Sequence, residues 1–145
     1  MPEPDSGPAT TTLLRTAYNA MSAAIYRHVA QTVGTGLRPA HGNALEMLAL
    51  QDGLRLTDIA AQAGMTTQSM GELVDDLVAK GYLRRQEDPA DRRAKRIYLT
   101  GQGRQAAGAG EAATRQAEQQ IQAALGPRQY QQLRRNLAVI ARLGL

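Results

Sequence analysis

Cysteine, tryptophan and phenylalanine are all missing from this 145-residue chain, and tyrosine, with five copies, is its only aromatic. Without thiols there is no disulfide, no thiolate metal site and no thiol-based redox sensor, and an unstapled fold fits a reducing compartment such as the cytoplasm. His28 and His41 are the only histidines, with no obvious carboxylate cluster beside them, which is a poor basis for a metal site. No apolar run approaches the length of a bilayer span, and the opening MPEPDSGPAT lacks the basic start and apolar stretch of a secretory signal, so no membrane partner is expected. Catalytic patterns are missing too, with no nucleophile and base, no carboxylate pair and no phosphate loop, so neither an enzyme nor a cofactor is implied. The GxG at Gly101 and Gly103 belongs to no βαβ unit, and helix capping and close packing explain it better than nucleotide binding.

Hydrophobic residues make up 43% of the chain, but alanine dominates them, so a single subunit would build a thin core and gain from burial against a second copy. The net charge is +4, with 15 Arg and 2 Lys among the cations, and the pI is near 9.8, which suits a polyanionic partner. Residues 1–9, with three prolines and almost no apolar side chains, are expected to form a disordered tail.

From Thr10 to about Val33, Leu14, Ala17, Tyr18, Met21, Ile25 and Val29 recur every three or four positions and predict one long amphipathic helix ending at Gly34 and Gly36. Pro39 opens a second helix, striped by Ala44, Leu45, Leu48 and Ala49 and finished near Gly53. Thr57 is placed to cap a short helix that Gly64 breaks, and Thr66 to cap a longer one that buries Met70, Leu73, Val74 and Leu77 before Gly81. Two short helices about a glycine turn make a helix-turn-helix. The period then drops to two: Tyr82 to Gln86 and Arg96 to Leu99 read as paired strands around a polar loop, EDPADRRAK, which together make a wing. Helix returns from about Gln102 to Ala124 with a stripe of small residues, Ala106, Ala109, Ala113 and Ala117. After Gly126 and Pro127, Tyr130, Leu133, Leu137 and Ile140 form a seam suited to helix pairing.

The fold class is therefore mainly α with a small β-hairpin wing: a winged helix-turn-helix lobe plus a helical dimerisation region. Expected divisions are a tail at 1–9, a dimerisation helix at 10–35, the DNA-binding lobe at 36–100 and dimerisation helices at 101–145. The second short helix would turn Gln68 outward, whose amide matches adenine's paired donor and acceptor, with Thr66, Thr67 and Ser69 suited to phosphates or a thymine methyl. Glu72 can accept from cytosine, but Glu72, Asp75 and Asp76 also repel phosphates, which argues against deep insertion of the helix's second half. That acidity leaves open a winged-helix module whose partner is a protein or RNA. Against it, residues 84–96 gather Arg84, Arg85, Arg92, Arg93, Lys95 and Arg96 around only three carboxylates, and a guanidinium at such a tip fits a narrow minor groove.

The run DRRAKRIYLT resembles the D-x-R-x5-L-T wing signature of the MarR family, with Asp91, Arg93, Leu99 and Thr100 on its fixed positions, and the likeness extends over roughly residues 10–145. It implies a transcriptional regulator, commonly a ligand-responsive repressor, that binds double-stranded DNA as a homodimer on a pseudo-palindromic operator. It also implies that Arg93 enters the minor groove, that Asp91 holds the wing in shape, and that Leu14, Tyr18, Tyr130, Leu133, Leu137 and Ile140 interlock in the dimer. A small phenolic or anionic effector is implied as well, for which Tyr18, Met21, Ile25, His41, Leu45 and Met47 are the candidate lining residues, though core packing accounts for most of them equally well.

Overall fold

The computed structural model describes residues 7–144, so most of the expected tail, residues 1–6, lies outside the described part. In chain order the elements are α1 (Thr10–Val33), α2 (Pro39–Leu50), β1 (Leu54–Arg55), α3 (Leu56–Ala63), α4 (Thr67–Ala79), β2 (Leu83–Asp88), β3 (Asp91–Leu99), α5 (Gly101–Leu125) and α6 (Pro127–Arg142). The strands form one antiparallel sheet in the order β1-β3-β2.

Backbone chemistry sets the ends of the two short helices. Past α3, Gly64 takes a left-handed φ of 64°, which lets its own N–H reach the Ala61 carbonyl and the Met65 N–H reach that of Ala60. Past α4, Gly81 at φ 86° repeats the device, with Gly81 N–H on Val78 and Tyr82 N–H on Leu77. At the other end of α4 the Thr66 hydroxyl accepts from Ser69 N–H at 3.1 Å, the cap the sequence predicts. Thr57 does not cap α3. Because β1 runs straight into the helix, the extended Arg55 takes the cap position without a side-chain bond and Thr57 falls inside the first turn.

Met70, Val74 and Leu77 of α4 are fully buried with Ile59 and Ala60 of α3, Ala44, Leu45 and Leu48 of α2, and Leu83, Ile97 and Leu99 of the sheet. Leu73 is only partly buried against this core, and Ala49 is exposed rather than part of the α2 stripe. A second, smaller cluster forms where Val29 of α1 meets Ala109 and Ala113 of α5. Little else of the long helices is buried: Tyr18 is 62% exposed, and Leu13, Val139 and Leu143 are exposed as well.

The hairpin is longer than its apolar pattern. Only Leu83, Ile97 and Leu99 touch the core, yet pairing continues through Gln86↔Arg96 and Glu87↔Lys95 to a turn between Asp88 and Asp91. Residues 87–95 are thus mostly strand rather than loop. Beyond the core most of the ribbon's residues are polar and exposed, the buried Asp88 apart, so no alternation of polarity marks it. β1, two residues pairing Leu54↔Ile97 and Arg55↔Arg96, is too short to leave any pattern.

Where β3 ends, Thr100 closes the base of the wing. Its N–H donates to the Tyr82 carbonyl at 3.0 Å, its hydroxyl donates to the Gly81 carbonyl at 2.6 Å, and the same oxygen accepts from Gly103 N–H to cap α5. α5 begins so close to this base that a Cβ on Gly103 would lie 2.0 Å from the Tyr82 carbonyl oxygen. Packing, not nucleotide binding, is what this glycine provides. Gly103→Ala should therefore lower stability by about 1–3 kcal/mol in chemical denaturation, whereas Gly108→Ala, with open space around the new methyl, should raise it by roughly 0.5–1 kcal/mol. Equal effects at the two sites would contradict this packing.

Candidate nucleic-acid interface

With Met70, Val74 and Leu77 turned into the core, α4 presents Thr67, Gln68, Ser69 and Glu72 to solvent, as the helical spacing predicts. Thr66 donates its hydroxyl proton to Ser69 Oγ at 2.9 Å, so the start of the helix is an ordered polar surface with the Ser69 proton still free to donate. Gly71 is half-buried, and a Cβ there would make an ordinary contact with Leu56 of α3 at 3.5 Å.

The acidic second half of α4 is largely neutralised within the molecule. Asp75 pairs with Arg85 of β2. Asp76 accepts from Lys80 Nζ and from His41 Nε2, each at 2.7 Å, while Lys80 also donates to the Gly36 carbonyl. Only Glu72 of the three carboxylates has no ion-pair partner among the described residues. The expected repulsion of phosphates is correspondingly weaker than the sequence implies, because the partners of Asp75 and Asp76 include residues of β2 and α2, far away in sequence.

His41 itself is fully buried. Its Nδ1 accepts from Arg38 N–H at 2.9 Å, so the neutral ring carries its proton on Nε2 and donates it to Asp76. The ring is hydrogen-bonded on both sides and joins the start of α2 to α4.

On the wing, Arg92, Arg93 and Lys95 are exposed, and none has a salt-bridge partner among the described residues. Arg84 is used differently. β2 alternation sets it on the face opposite Arg85, which reaches back to α4, and its guanidinium lies 4.6 Å from the centre of the Tyr98 ring and donates to Gln86. Asp91 accepts from Arg93 N–H at 3.0 Å and is exposed. The buried carboxylate of the wing is instead Asp88, only 2% exposed, which the sequence pattern does not single out. Its Oδ1 accepts from Ala90 N–H, and its Oδ2 accepts from Arg55 Nη2 at 2.7 Å and Arg96 Nε at 3.1 Å. The Ala90 bond and then the arginines hold its carboxyl down at about 2, against the desolvation that would raise it. Arg96 also donates to the Gly53 carbonyl.

The residues considered for an effector differ in their surroundings. Leu45 and Met47 belong to the lobe's core, Ile25 packs at the α1–α5 contact, Met21 is half-buried and Tyr18 exposed. A groove of about 170 Å3 between α1 and α5 is lined instead by Arg27, His28, Gln31 and Gln116, among others. Tyr26, not foreseen either, packs its hydroxyl against Gly42 of α2, and burial pushes its phenol up to about 12. Of the residues considered for dimerisation, Leu133 and Leu137 are each nearly 40% exposed, and Leu14 and Ile140 are half-buried. Tyr130 is different: only 7% exposed, it accepts from Arg134, which also binds Glu118 of α5, so it seals the α5–α6 contact within the subunit.

A capped helix with a polar front, two glycine-closed turns and a cationic hairpin fastened beside them define a winged helix-turn-helix protein. A family model described as MarR family matches residues 35–94, from just before α2 into the wing, so this stretch of the chain is similar to that family. Its fold is similar to that of a probable transcriptional regulator from Pseudomonas aeruginosa, with 27% identity, a TM-score of 0.75 and coverage of 90% of this chain and 96% of that one. MepR of S. aureus, solved in complex with DNA, is 25% identical at a TM-score of 0.80, covering 93% of this chain and 98% of its own. The repressor CouR, solved on a 23-mer DNA duplex, is 26% identical at a TM-score of 0.80, covering 92% and 93%. No curated protein sequence matches the chain.

Burial pushes the His41 imidazole below its ordinary 6.5, nearby Lys80 and Arg38 add to this, and Asp76 opposes it. The unfolded chain then takes up a proton near pH 6.5 that the folded chain refuses, so this contribution is complete above 6.5 and is lost as pH falls from there toward the depressed value. Denaturation midpoints should drop through that window, and His41→Gln should flatten the slope. An unaltered slope in the variant would show that another group causes it.

Proposed function

We propose that two copies of this chain bind one double-stranded DNA site and regulate transcription, most simply as a repressor that a small phenolic or anionic effector releases. The observation that carries the reading is the set of three cations without ion-pair partners among the described residues, Arg92, Arg93 and Lys95, on a hairpin tied to α4 through the Asp75–Arg85 pair, together with the exposed Thr67 and Gln68 at the start of that helix. Helix and hairpin then address one face of a duplex: Gln68 meets a base edge, Thr66, Thr67 and Ser69 meet phosphates or a thymine methyl, Glu72 meets cytosine, and Arg93 enters the minor groove. Arg92 and Lys95 are assigned to the backbone. The DNA complexes of MepR and CouR, with the same fold, support this assignment. Binding rather than catalysis is the role assigned, and the cytoplasm the place for it.

The homodimer is assigned to α1, α5 and α6, whose exposed leucines continue the apolar surface of each subunit. A two-fold axis would set the two α4 helices about one helical turn apart, roughly 10 bp, on a pseudo-palindrome. In this arrangement residues 10–35 and 101–145 pair the subunits, and 36–100 read DNA.

The alternative of a protein or RNA partner drew on the acidity of α4, and the pairing of Asp75 and Asp76 removes most of that support. Salt separates the two: a DNA reader should lose affinity with a log-log slope of roughly −0.9 per phosphate contact. Arg93→Ala should weaken operator binding by about 1–3 kcal/mol per subunit without unfolding the chain, and an unchanged fluorescence-anisotropy titration would remove it from the groove. Leu133→Asp with Leu137→Asp should yield monomers, since an unpaired charge is not buried at an interface; light scattering that still reports a dimer would refute this seam.

A further inference from the structure

The distal half of the wing has a mechanical problem. β1 supports β3 only at Arg96 and Ile97, so beyond Arg96 the hairpin is a two-stranded ribbon, and such ribbons are marginal in water on their own. The cations that would meet DNA, Arg92, Arg93 and Lys95, are all on that ribbon. A flexible ribbon would have to be ordered on binding, which costs affinity.

One carboxylate ties the ribbon to the body. Asp88 accepts from Ala90 N–H through Oδ1, which shapes the turn, and from Arg96 Nε of β3 through Oδ2. The same Oδ2 accepts from Nη2 and Nε of Arg55, at 2.7 and 3.2 Å. Arg55 is the cap position of α3, so this contact fastens the ribbon's tip to the first helix of the helix-turn-helix. An acidic side chain is a liability next to phosphates. Here it is almost wholly buried and used up by two guanidinium groups that are each about 40% exposed, so its charge is answered within the protein. Asp91, the carboxylate of the wing motif, is exposed and makes only a local bond to the Arg93 backbone.

We propose that Asp88, through Arg55, is the positioning residue of the wing: it holds the ribbon at a fixed angle to α3 and α4, so that Arg92 and Arg93 reach the DNA already in place when α4 is in the major groove. This rests on the reading that the wing meets DNA. Asp88 touches no base or phosphate; it acts through the arginines.

A double-mutant cycle tests it, with operator affinity measured on the full-length protein for Asp88→Asn, for the paired Arg92→Ala and Arg93→Ala variant, and for the combination. Asp88→Asn should weaken binding at least about fivefold in the parent and no more than about twofold where the arginines are already gone, the signature of coupled sites. Hydroxyl-radical footprints should lose protection in the minor groove under the wing and keep it beside the major-groove contact. Circular dichroism melting checks that Asp88→Asn folds. If it does not, Arg55→Gln, which leaves the hairpin's own bonds intact, should give the same coupling and the same partial footprint. Equal losses in both backgrounds, or none, would overturn the role of Asp88 and leave the wing contact standing. Unchanged affinity in the arginine variant would overturn the wing contact itself, and this inference with it.

Discussion

The carbonyl of Tyr82 is the point at which three parts of the molecule meet. It receives the N–H and hydroxyl of Thr100, one residue after the wing has ended, and it lies so near α5 that only a glycine fits opposite it. The Schellman turn at Gly81 delivers Tyr82 to that place, and the same Thr100 oxygen begins α5. Wing, helix-turn-helix and the long C-terminal helix are thereby set relative to one another largely through main-chain groups, which tolerate less variation than side-chain packing. The L-T of the wing motif has its physical meaning here: Leu99 is the last buried residue of the sheet, and Thr100 locks the first turn of α5 against the base of the hairpin.

Charge is organised on the same principle of internal settlement. The lobe carries acids where a polyanion is expected, yet Asp75, Asp76 and Asp88 are each answered by a cation or an imidazole: Arg85, Lys80 with His41, and Arg55 with Arg96. The exposed pairs add little stability, since solvent screens them. What they do is decide which cations remain free. After these pairs are removed, the unmatched positive charge of the lobe is concentrated on the outer hairpin.

Much of this architecture can be read from the residues themselves. Helical spacing and glycine punctuation place α1, α2, α4, α5 and α6 to within a few residues, because each signal is local: Pro39 fixes a start, Thr66 a cap, Gly81 a stop. The features that escape such a reading depend on partners distant in sequence. β1 exists only because Ile97 and Arg96 lie beside it, and it displaces the cap of α3 from Thr57 to Arg55. Asp88 and Asp91 look alike in a polar run, and burial alone distinguishes them. The contacts of Tyr130 with Arg134, and of Arg134 with Glu118, and those of His41 with Arg38 and Asp76, leave no mark in the spacing of apolar residues.

The crossing of α1 over α5 is built from Val29, Ala109 and Ala113, side chains with few projections to interlock. α5 has 25 residues and is thus a rod about 37 Å long. Pivoting the rod by about 5° about this contact, which lies roughly 20 Å from the far end, moves that end by about 2 Å. Smooth alanine surfaces at the fulcrum resist that rotation less than interdigitated leucines would. The freedom of α5 to turn against α1 is therefore set by these small methyl groups, at a distance from the wing and from α4.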